Sequence, residues 1–159
     1  MNKDTIREKM QTYLRKMEEA RQKELERAQQ RTQILAQFQE LVKSVIKPAM
    51  ENFSKEMESD ACRFRIDGEY TDAEDPQIRY WMTPTGVNLN DYEFKDVPHL
   101  FYGVDTDSNF VITHISTVVK GCAGRIYEGP RYQLEEMTAD VIEKDLVKVL
   151  GELLDNLLS

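Results

Sequence analysis

The apolar positions of residues 1–47 repeat with the period of one long α-helix. From Asp4 to Ile46 the sequence contains no glycine or proline and is rich in Glu, Lys, Arg, Gln, Ala, Leu and Met, which are strong helix formers. Apolar residues recur at alternating steps of four and three, a heptad register typical of coiled coils. We call the apolar positions of this register the heptad seam: Ile6, Met10, Tyr13, Met17, Ala20, Ile34, Phe38, Leu41 and Val45.

The middle of the heptad seam is charged, because Glu24, Arg27 and Arg31 occupy three of its positions. A helix of about 45 residues spans about 70 Å. Its charged pairs at four-residue spacing contribute only about 0.2–0.5 kcal/mol each, so its apolar ends require burial. The sequence therefore predicts that residues 1–47 are a coiled-coil-like segment for oligomerisation or docking. A homodimer, in parallel or antiparallel orientation, is the simplest assembly, and a trimer or a helical protein partner is the alternative. The charged middle either sets the register or marks where the helices separate.

Pro48 interrupts this pattern and predicts a kink or a helix end, followed by a short helix over residues 49–58. From Cys62 onward the hydrophobic period changes from the helical period to two, which indicates strands. The predicted strands cover about 62–70, 77–82, 99–104, 110–119 and 125–128. The polar segment Asp105–Asn109 predicts a tight hairpin turn between the third and fourth of them.

Residues 139–158 have the wide apolar face of a helix that packs against a core. Thr138 is a suitable N-cap, and Asp140 lies in the first turn, where a carboxylate favours the helix dipole. The predicted fold class is therefore α+β. A long N-terminal helix precedes a domain, residues 48–159, in which a small antiparallel sheet of about four to six strands is packed by the C-terminal helix.

The two parts of the chain differ in charge. Residues 1–48 have a net charge of +4, and residues 49–159 have a net charge of −12. No stretch approaches the roughly 18 apolar residues of a membrane span, and the charged N-terminal segment does not resemble a signal peptide. The two cysteines favour reduced thiols, with a Cys62–Cys122 disulfide as the alternative. We therefore expect a cytoplasmic protein without a membrane partner.

Four residues with the same strand parity suggest a ligand face on the outer side of the sheet: Arg63, Arg65, Arg79 and Trp81. Guanidinium groups beside an aromatic plane bind carboxylates, phosphates or stacked bases. Four further residues are candidates to join this face: Arg125, Tyr127, Arg131 and Tyr132. The alternative is that Arg63 and Arg65 pair with nearby carboxylates across the strands.

Catalytic signatures are largely missing from the sequence, which has no glycine-rich phosphate loop, nucleophile elbow or zinc-ligand spacing. His99 and His114 fall on neighbouring strands, where they are able to approach each other and to form a nucleophile–base pair or a metal site with Cys62 or Cys122. The alternative is that both are ordinary strand residues. The acidic cluster between Asp60 and Asp75 is interpreted as solvated surface. No catalytic residue, cofactor or metal site is predicted.

The sequence favours a non-enzymatic, cytoplasmic, oligomeric protein–protein interaction module, in which helical self-association presents an acidic α+β domain. One alternative is a nucleic-acid-associated module that uses the basic N-terminal helix and the arginine–aromatic face. A polyanion would then bind against the negative field of the domain. The other alternative is a small enzyme that uses His99 and His114.

Overall fold

The computed structural model describes residues 1–68, 76–88, 90, 92–93, 96–119 and 124–159. Helix α1 (Lys3–Leu41), a π-helical turn (Val42–Ile46) and helix α2 (Lys47–Glu56) are followed by a sheet and by helix α3 (Ala139–Leu158). The predicted α+β class is confirmed. The strands are β1 (Cys62–Asp67), β2 (Gln77–Pro84), β3 (His99–Asp105), β4 (Phe110–Ser116), β5 (Ile126–Glu128) and β6 (Tyr132–Gln133).

The helix does not end at Pro48. It passes through a π-helical turn in which the backbone N–H of Lys47 donates to the carbonyl oxygen of Val42, five residues earlier. Pro48 then lies in the first turn of α2, where the missing N–H of proline costs least. A proline ring inside an α-helix crowds the carbonyl four residues before it, and the wider turn before Pro48 relieves this contact. The predicted helix end is thus replaced by a change of helix type.

The π-helical turn also changes which residues are buried. A stripe with steps of four residues, Ile34, Phe38, Val42, Ile46 and Met50, is buried along this part of the helix. In an α-helix of 3.6 residues per turn, each four-residue step overshoots by about 40°, and the wider turn reduces that drift. The heptad seam predicts burial at Leu41 and Val45, but these two are only partly buried.

The six strands form one antiparallel sheet in the order β1-β2-β3-β4-β5, with β6 also paired to β4. The hairpin between β3 and β4 is confirmed, with Asp105 opposite Phe110. Asn109 has a φ of 62°, which its short polar side chain tolerates. Its N–H donates to the carbonyl oxygen of Asp105 at 2.9 Å. The Asp105 carboxylate accepts from the N–H of Asp107 and the hydroxyl of Ser108, so it stabilises the turn.

Strand lengths differ at several ends from those predicted. β1 ends at Asp67 rather than at residue 70, and residues 69–70 lie outside the described residues. β4 ends at Ser116 rather than at residue 119, and after this end the N–H of Thr117 donates to the carbonyl oxygen of Arg125. β2 is two residues longer than predicted. These differences leave the predicted faces of the side chains on β1 and β2 unchanged.

The core lies on one face of the sheet, against the helices. α3 has the predicted bounds, and the hydroxyl oxygen of Thr138 caps it by accepting from the N–H of Val141 at 3.3 Å. Tyr102 and Tyr132 both donate to the carboxylate of Asp145 in α3, at 2.5 Å and 2.8 Å. The largest fully buried side chains are Phe38, Ile46, Met50, Phe53, Ile78, Tyr80, Met82, Leu100, Tyr102, Ile115, Ile142 and Leu146.

The chain divides into two compact units, Met1–Ile34 and Leu35–Ser159. The first is helical from Lys3 onward, and almost all of its side chains are exposed. The second contains the sheet, α2 and α3, and also Leu35–Lys47, which the sequence predicts to be part of the oligomerisation segment. Phe38, Val42 and Ile46 belong to its core, which explains why the division falls before residue 47. Among the described residues no helix is long and apolar enough to cross a membrane.

Candidate functional site

The sheet face opposite the core carries two rows of aligned side chains. The strand register places Arg65, Trp81, His99 and Ser116 side by side across β1 to β4. The adjacent row consists of Asp67, Arg79, Phe101, His114 and Glu128. The predicted arginine–aromatic face is therefore assembled from neighbouring strands. His99 and Phe101 add an imidazole and a phenyl ring to it.

Trp81 is the centre of this face. Its ring lies 5.6 Å from the guanidinium carbon of Arg65 and 5.0 Å from that of Arg79. The Arg79 guanidinium also lies over Phe101, 5.2 Å from the ring centroid. Trp81 is only 4% exposed although it lies on the face away from the helices. Cation–π contacts at such a buried ring hold the guanidinium groups in defined positions.

Arg63 and Arg65 are exposed, and they have no carboxylate partner among the residues that the structure describes. Their cross-strand partners are Thr83 and Trp81, neither of which is charged. In the part of the chain that the structure describes, neither guanidinium forms an ion pair. The alternative of pairing with nearby carboxylates thus has no support from the described residues, and Glu69, Asp72, Glu74 and Asp75 lie outside them. Arg79 differs, because Asp67 is its cross-strand neighbour. Burial lowers the pKa of Arg79, and the charge of Asp67 opposes that shift.

Three of the additional residues considered for this face contact α3 instead. Arg125 lies over the ring of Tyr127 at 4.0 Å and forms an ion pair with Glu152 at 3.7 Å. Tyr127 donates to the same carboxylate at 2.7 Å. Tyr132 donates to Asp145. These residues have the parity of the core face or lie near the sheet edge, so the ligand face does not extend through them.

The two histidines, which the sequence places on neighbouring strands, are in contact. Their rings stack with centroids 5.4 Å apart, and Nε2 of His99 lies 3.2 Å from Nδ1 of His114. Nδ1 of His99 lies 2.6 Å from the carbonyl oxygen of Val97, which only accepts, so this nitrogen must bear a hydrogen. In neutral His99 the other nitrogen is then an acceptor, and it accepts from His114.

His99 is 1% exposed, and its burial lowers its pKa to about 4, with smaller contributions from the charges of Arg79 and His114. It is therefore neutral near neutral pH. Cys62 lies on the opposite, core-facing side of the sheet, and burial raises the pKa of its thiol. A Cys62–histidine pair does not form. Cys122 lies outside the described residues. Within the described ranges no three His, Cys, Asp or Glu residues are grouped to hold a metal ion.

A cavity of about 600 Å³ opens beside Trp81. It is bounded by β1, β2 and the segment that connects β2 to β3. The described residues that line it are Arg63, Phe64, Arg65, Trp81, Thr83, Tyr92 and Val97. Its volume is within the range of about 300–1,000 Å³ typical of small-molecule sites.

A second cavity of about 500 Å³ lies on the neighbouring row, near His114. Arg79 and Arg131 contribute positive charge to its lining, and Asp105 and Glu128 contribute negative charge. Of the additional candidates, Arg131 therefore lies near the predicted face. The mixed charge gives this cavity no preference for an anion over a cation. The first cavity has no carboxylate among its described lining residues.

The nine residues of the heptad seam divide into two groups. Ile6, Met10, Tyr13 and Met17 are between 45% and 64% exposed, and Ala20 is also exposed. Phe38 is fully buried and Ile34 nearly so, and Leu41 and Val45 are partly buried against the core of the second unit. The described chain therefore leaves only the N-terminal half of the heptad seam open to another molecule.

Comparison of the chain with protein-family models, curated proteins and solved structures finds no match. The candidate sites therefore rest on the geometry above. Sequence reasoning did not identify Thr83, Tyr92 or Val97 as neighbours of Trp81. Thr83 has the same strand parity as Trp81, so the alternation along the strand predicts that the two lie on one face. Tyr92 and Val97 lie in an irregular segment, whose position no periodic pattern predicts.

Proposed function

We propose that this protein is a cytoplasmic, non-enzymatic interaction protein that dimerises through the N-terminal half of the heptad seam. One observation carries the proposal: Ile6, Met10, Tyr13 and Met17 are exposed on one helix in a single heptad register. Scattered apolar side chains are normal on a protein surface, whereas an aligned apolar stripe marks an interaction site. Burying each large apolar side chain contributes about 1.5–3 kcal/mol.

A second copy in parallel orientation is the partner that fits this stripe. In a parallel dimer the same residues of the two chains face each other, so Met10 meets Met10 and Met17 meets Met17. The same arrangement opposes like charges at Glu24, Arg27 and Arg31. Pairing is therefore favourable from Ile6 to Ala20 and unfavourable beyond. The dimer would present two acidic α+β domains after the helices separate.

The positions beside the heptad seam bear on the choice of partner. Five of the six flanking residues are basic, namely Arg7, Lys9, Lys16, Arg21 and Lys23, and the sixth is Leu14. In the parallel dimer, Lys16 of one chain faces Arg21 of the other. No other two of these basic residues face each other across the chains, so the repulsion is modest. A helical partner with acidic flanks is the competing occupant, and the response to salt separates the two. The cytoplasmic location is supported by Cys62, which is a free thiol.

The test is the oligomeric state of the full chain by analytical ultracentrifugation. We expect a concentration-dependent monomer–dimer equilibrium in the wild type and a monomer in Met10→Glu/Met17→Glu. The matched control is Gln22→Glu/Gln29→Glu, which adds the same charge on the opposite face of the helix and is expected to leave the dimer intact. A wild type that stays monomeric at high concentration would refute self-association, and equal dissociation by both double variants would refute the heptad seam as its surface.

A further inference from the structure

The cavity beside Trp81 combines three properties of a ligand site: volume, positive charge and aromatic walls. Two of its lining residues are Arg63 and Arg65, the exposed arginines that form no ion pair with any described carboxylate. Two more, Trp81 and Tyr92, are aromatic, and Thr83 provides a half-buried hydroxyl group. The helix-mediated association proposed above does not involve any of these residues.

The charge of this cavity is local and unusual for the domain. Residues 49–159 have a net charge of −12, yet no carboxylate belongs to the described lining. Arg65 is held over the Trp81 ring, which limits the motion of its guanidinium group. A positioned guanidinium binds carboxylates and phosphates through two parallel hydrogen bonds. An anionic group is therefore the ligand feature that the arginines select.

The walls of the cavity select a second feature. The rings of Trp81 and Tyr92 and the side chain of Val97 provide apolar surface near the guanidinium groups. Planar aromatic ligands stack on such rings and on the flat face of arginine. The neighbouring row contains Asp67 and Glu128, so the positive surface does not continue along the sheet. A polyanion such as a nucleic acid requires an extended basic track, which this interruption removes.

We propose that this cavity binds a small planar aromatic molecule that bears a carboxylate or phosphate group, with Arg63 and Arg65 on the anionic group and Trp81 and Tyr92 beside the ring. Trp81 is the one tryptophan of the chain, so its fluorescence and its single indole N–H resonance report directly on the site.

The test titrates the full chain with four probes while the Trp81 signal is recorded. Benzoate and phenyl phosphate contain both features and distinguish the two acidic groups. Benzamide lacks the charge, and inorganic phosphate lacks the ring. We expect saturable changes with benzoate, phenyl phosphate or both, and much weaker binding of benzamide and inorganic phosphate. Equal binding of either control probe would overturn the proposal, as would no saturable change with benzoate or phenyl phosphate.

Variants assign the binding to this cavity. Arg63→Gln/Arg65→Gln is expected to weaken binding by about tenfold or more, because it removes charge-assisted hydrogen bonds. Arg63→Lys/Arg65→Lys keeps the charge without the planar fork and is expected to bind with intermediate affinity. The control Arg15→Gln/Lys148→Gln removes two positive charges at exposed positions of α1 and α3 and is expected to bind like the wild type.

Unchanged affinity in the Arg63→Gln/Arg65→Gln variant would refute the role of these arginines. Both residues are exposed, so the variant is expected to keep the helix content and unfolding midpoint of the wild type. If it does not, the two single variants replace it, and each is expected to weaken binding. If a single-stranded oligonucleotide changes the Trp81 signal and no small probe does, the proposal is overturned, and the surface binds nucleic acid instead of a small molecule.

Discussion

His99 stacks on His114 with 3.2 Å between Nε2 of the first and Nδ1 of the second. Since His99 is neutral near neutral pH and its Nδ1 donates to Val97, its Nε2 accepts from Nδ1 of His114. Protonation of His99 would turn Nε2 into a donor, so the contact would then require His114 to present Nδ1 as an acceptor. The contact is therefore coupled to pH through His99.

This coupling predicts a loss of stability in acid. The pKa of His99 is about 4 in the folded chain and 6.5 in the unfolded one, so the unfolded chain binds its proton first as the pH falls. The stability that neutral His99 gives the folded chain is complete above pH 6.5 and is lost toward pH 4. Over this range the free energy of unfolding is expected to decrease by about 2–3 kcal/mol. Urea unfolding across this range measures it. In His99→Asn the free energy of unfolding is expected to fall less steeply with decreasing pH. The same pH dependence in the variant and the wild type would contradict this account.

The carboxylate of Asp145 holds α3 to the sheet through the hydroxyl groups of Tyr102 and Tyr132. Asp145→Asn replaces the charged acceptor with an amide, which is expected to lower the free energy of unfolding by about 1–3 kcal/mol. Asp155→Asn in the same helix is the matched control, since Asp155 is exposed. Chemical denaturation compares the two variants, and equal effects would show that these hydrogen bonds add nothing beyond the change in charge.

The boundary between the two compact units predicts which shortened chains fold. A chain that begins at Thr32 keeps Phe38, Val42 and Ile46 and is expected to unfold cooperatively like the full chain. A chain that begins at Ala49 loses these three core side chains and is expected not to fold, because removing one such large side chain alone costs about 2–5 kcal/mol. Circular dichroism during thermal unfolding distinguishes the outcomes. Cooperative unfolding of the chain from Ala49 would show that the sheet and α3 suffice.

The basic flanks of the heptad seam predict how salt affects assembly. In a homodimer the like charges of Lys16 and Arg21 face each other, so screening is expected to strengthen dimerisation modestly as salt concentration rises. An acidic partner helix would instead be released by salt. Sedimentation at low and high ionic strength measures the monomer–dimer constant, and dissociation of the homodimer at high salt would argue against the parallel arrangement.

Short-range patterns in the sequence were sufficient for much of the fold. The period of two placed Phe64 and Ile66 on one side of β1 and Arg63 and Arg65 on the other, and the structure retains that division. The N-cap at Thr138 and the apolar face of α3 predicted its bounds because both signals are local. The turn residues between β3 and β4 likewise predicted their hairpin.

Other features depended on contacts between distant residues. The heptad pattern treats every seam position alike, and only the packed core decides that Phe38 is buried while Met10 is exposed. No simple sequence signal predicts the π-helical turn before Pro48. The turn aligns an apolar stripe with the core, so it depends on tertiary packing. Strand parity indicated that Arg65 and Trp81 share a face, whereas the cavity beside them depends on Tyr92 and Val97 from an irregular segment. Local periodicity determines the direction of each side chain, and tertiary packing decides which of those side chains meet.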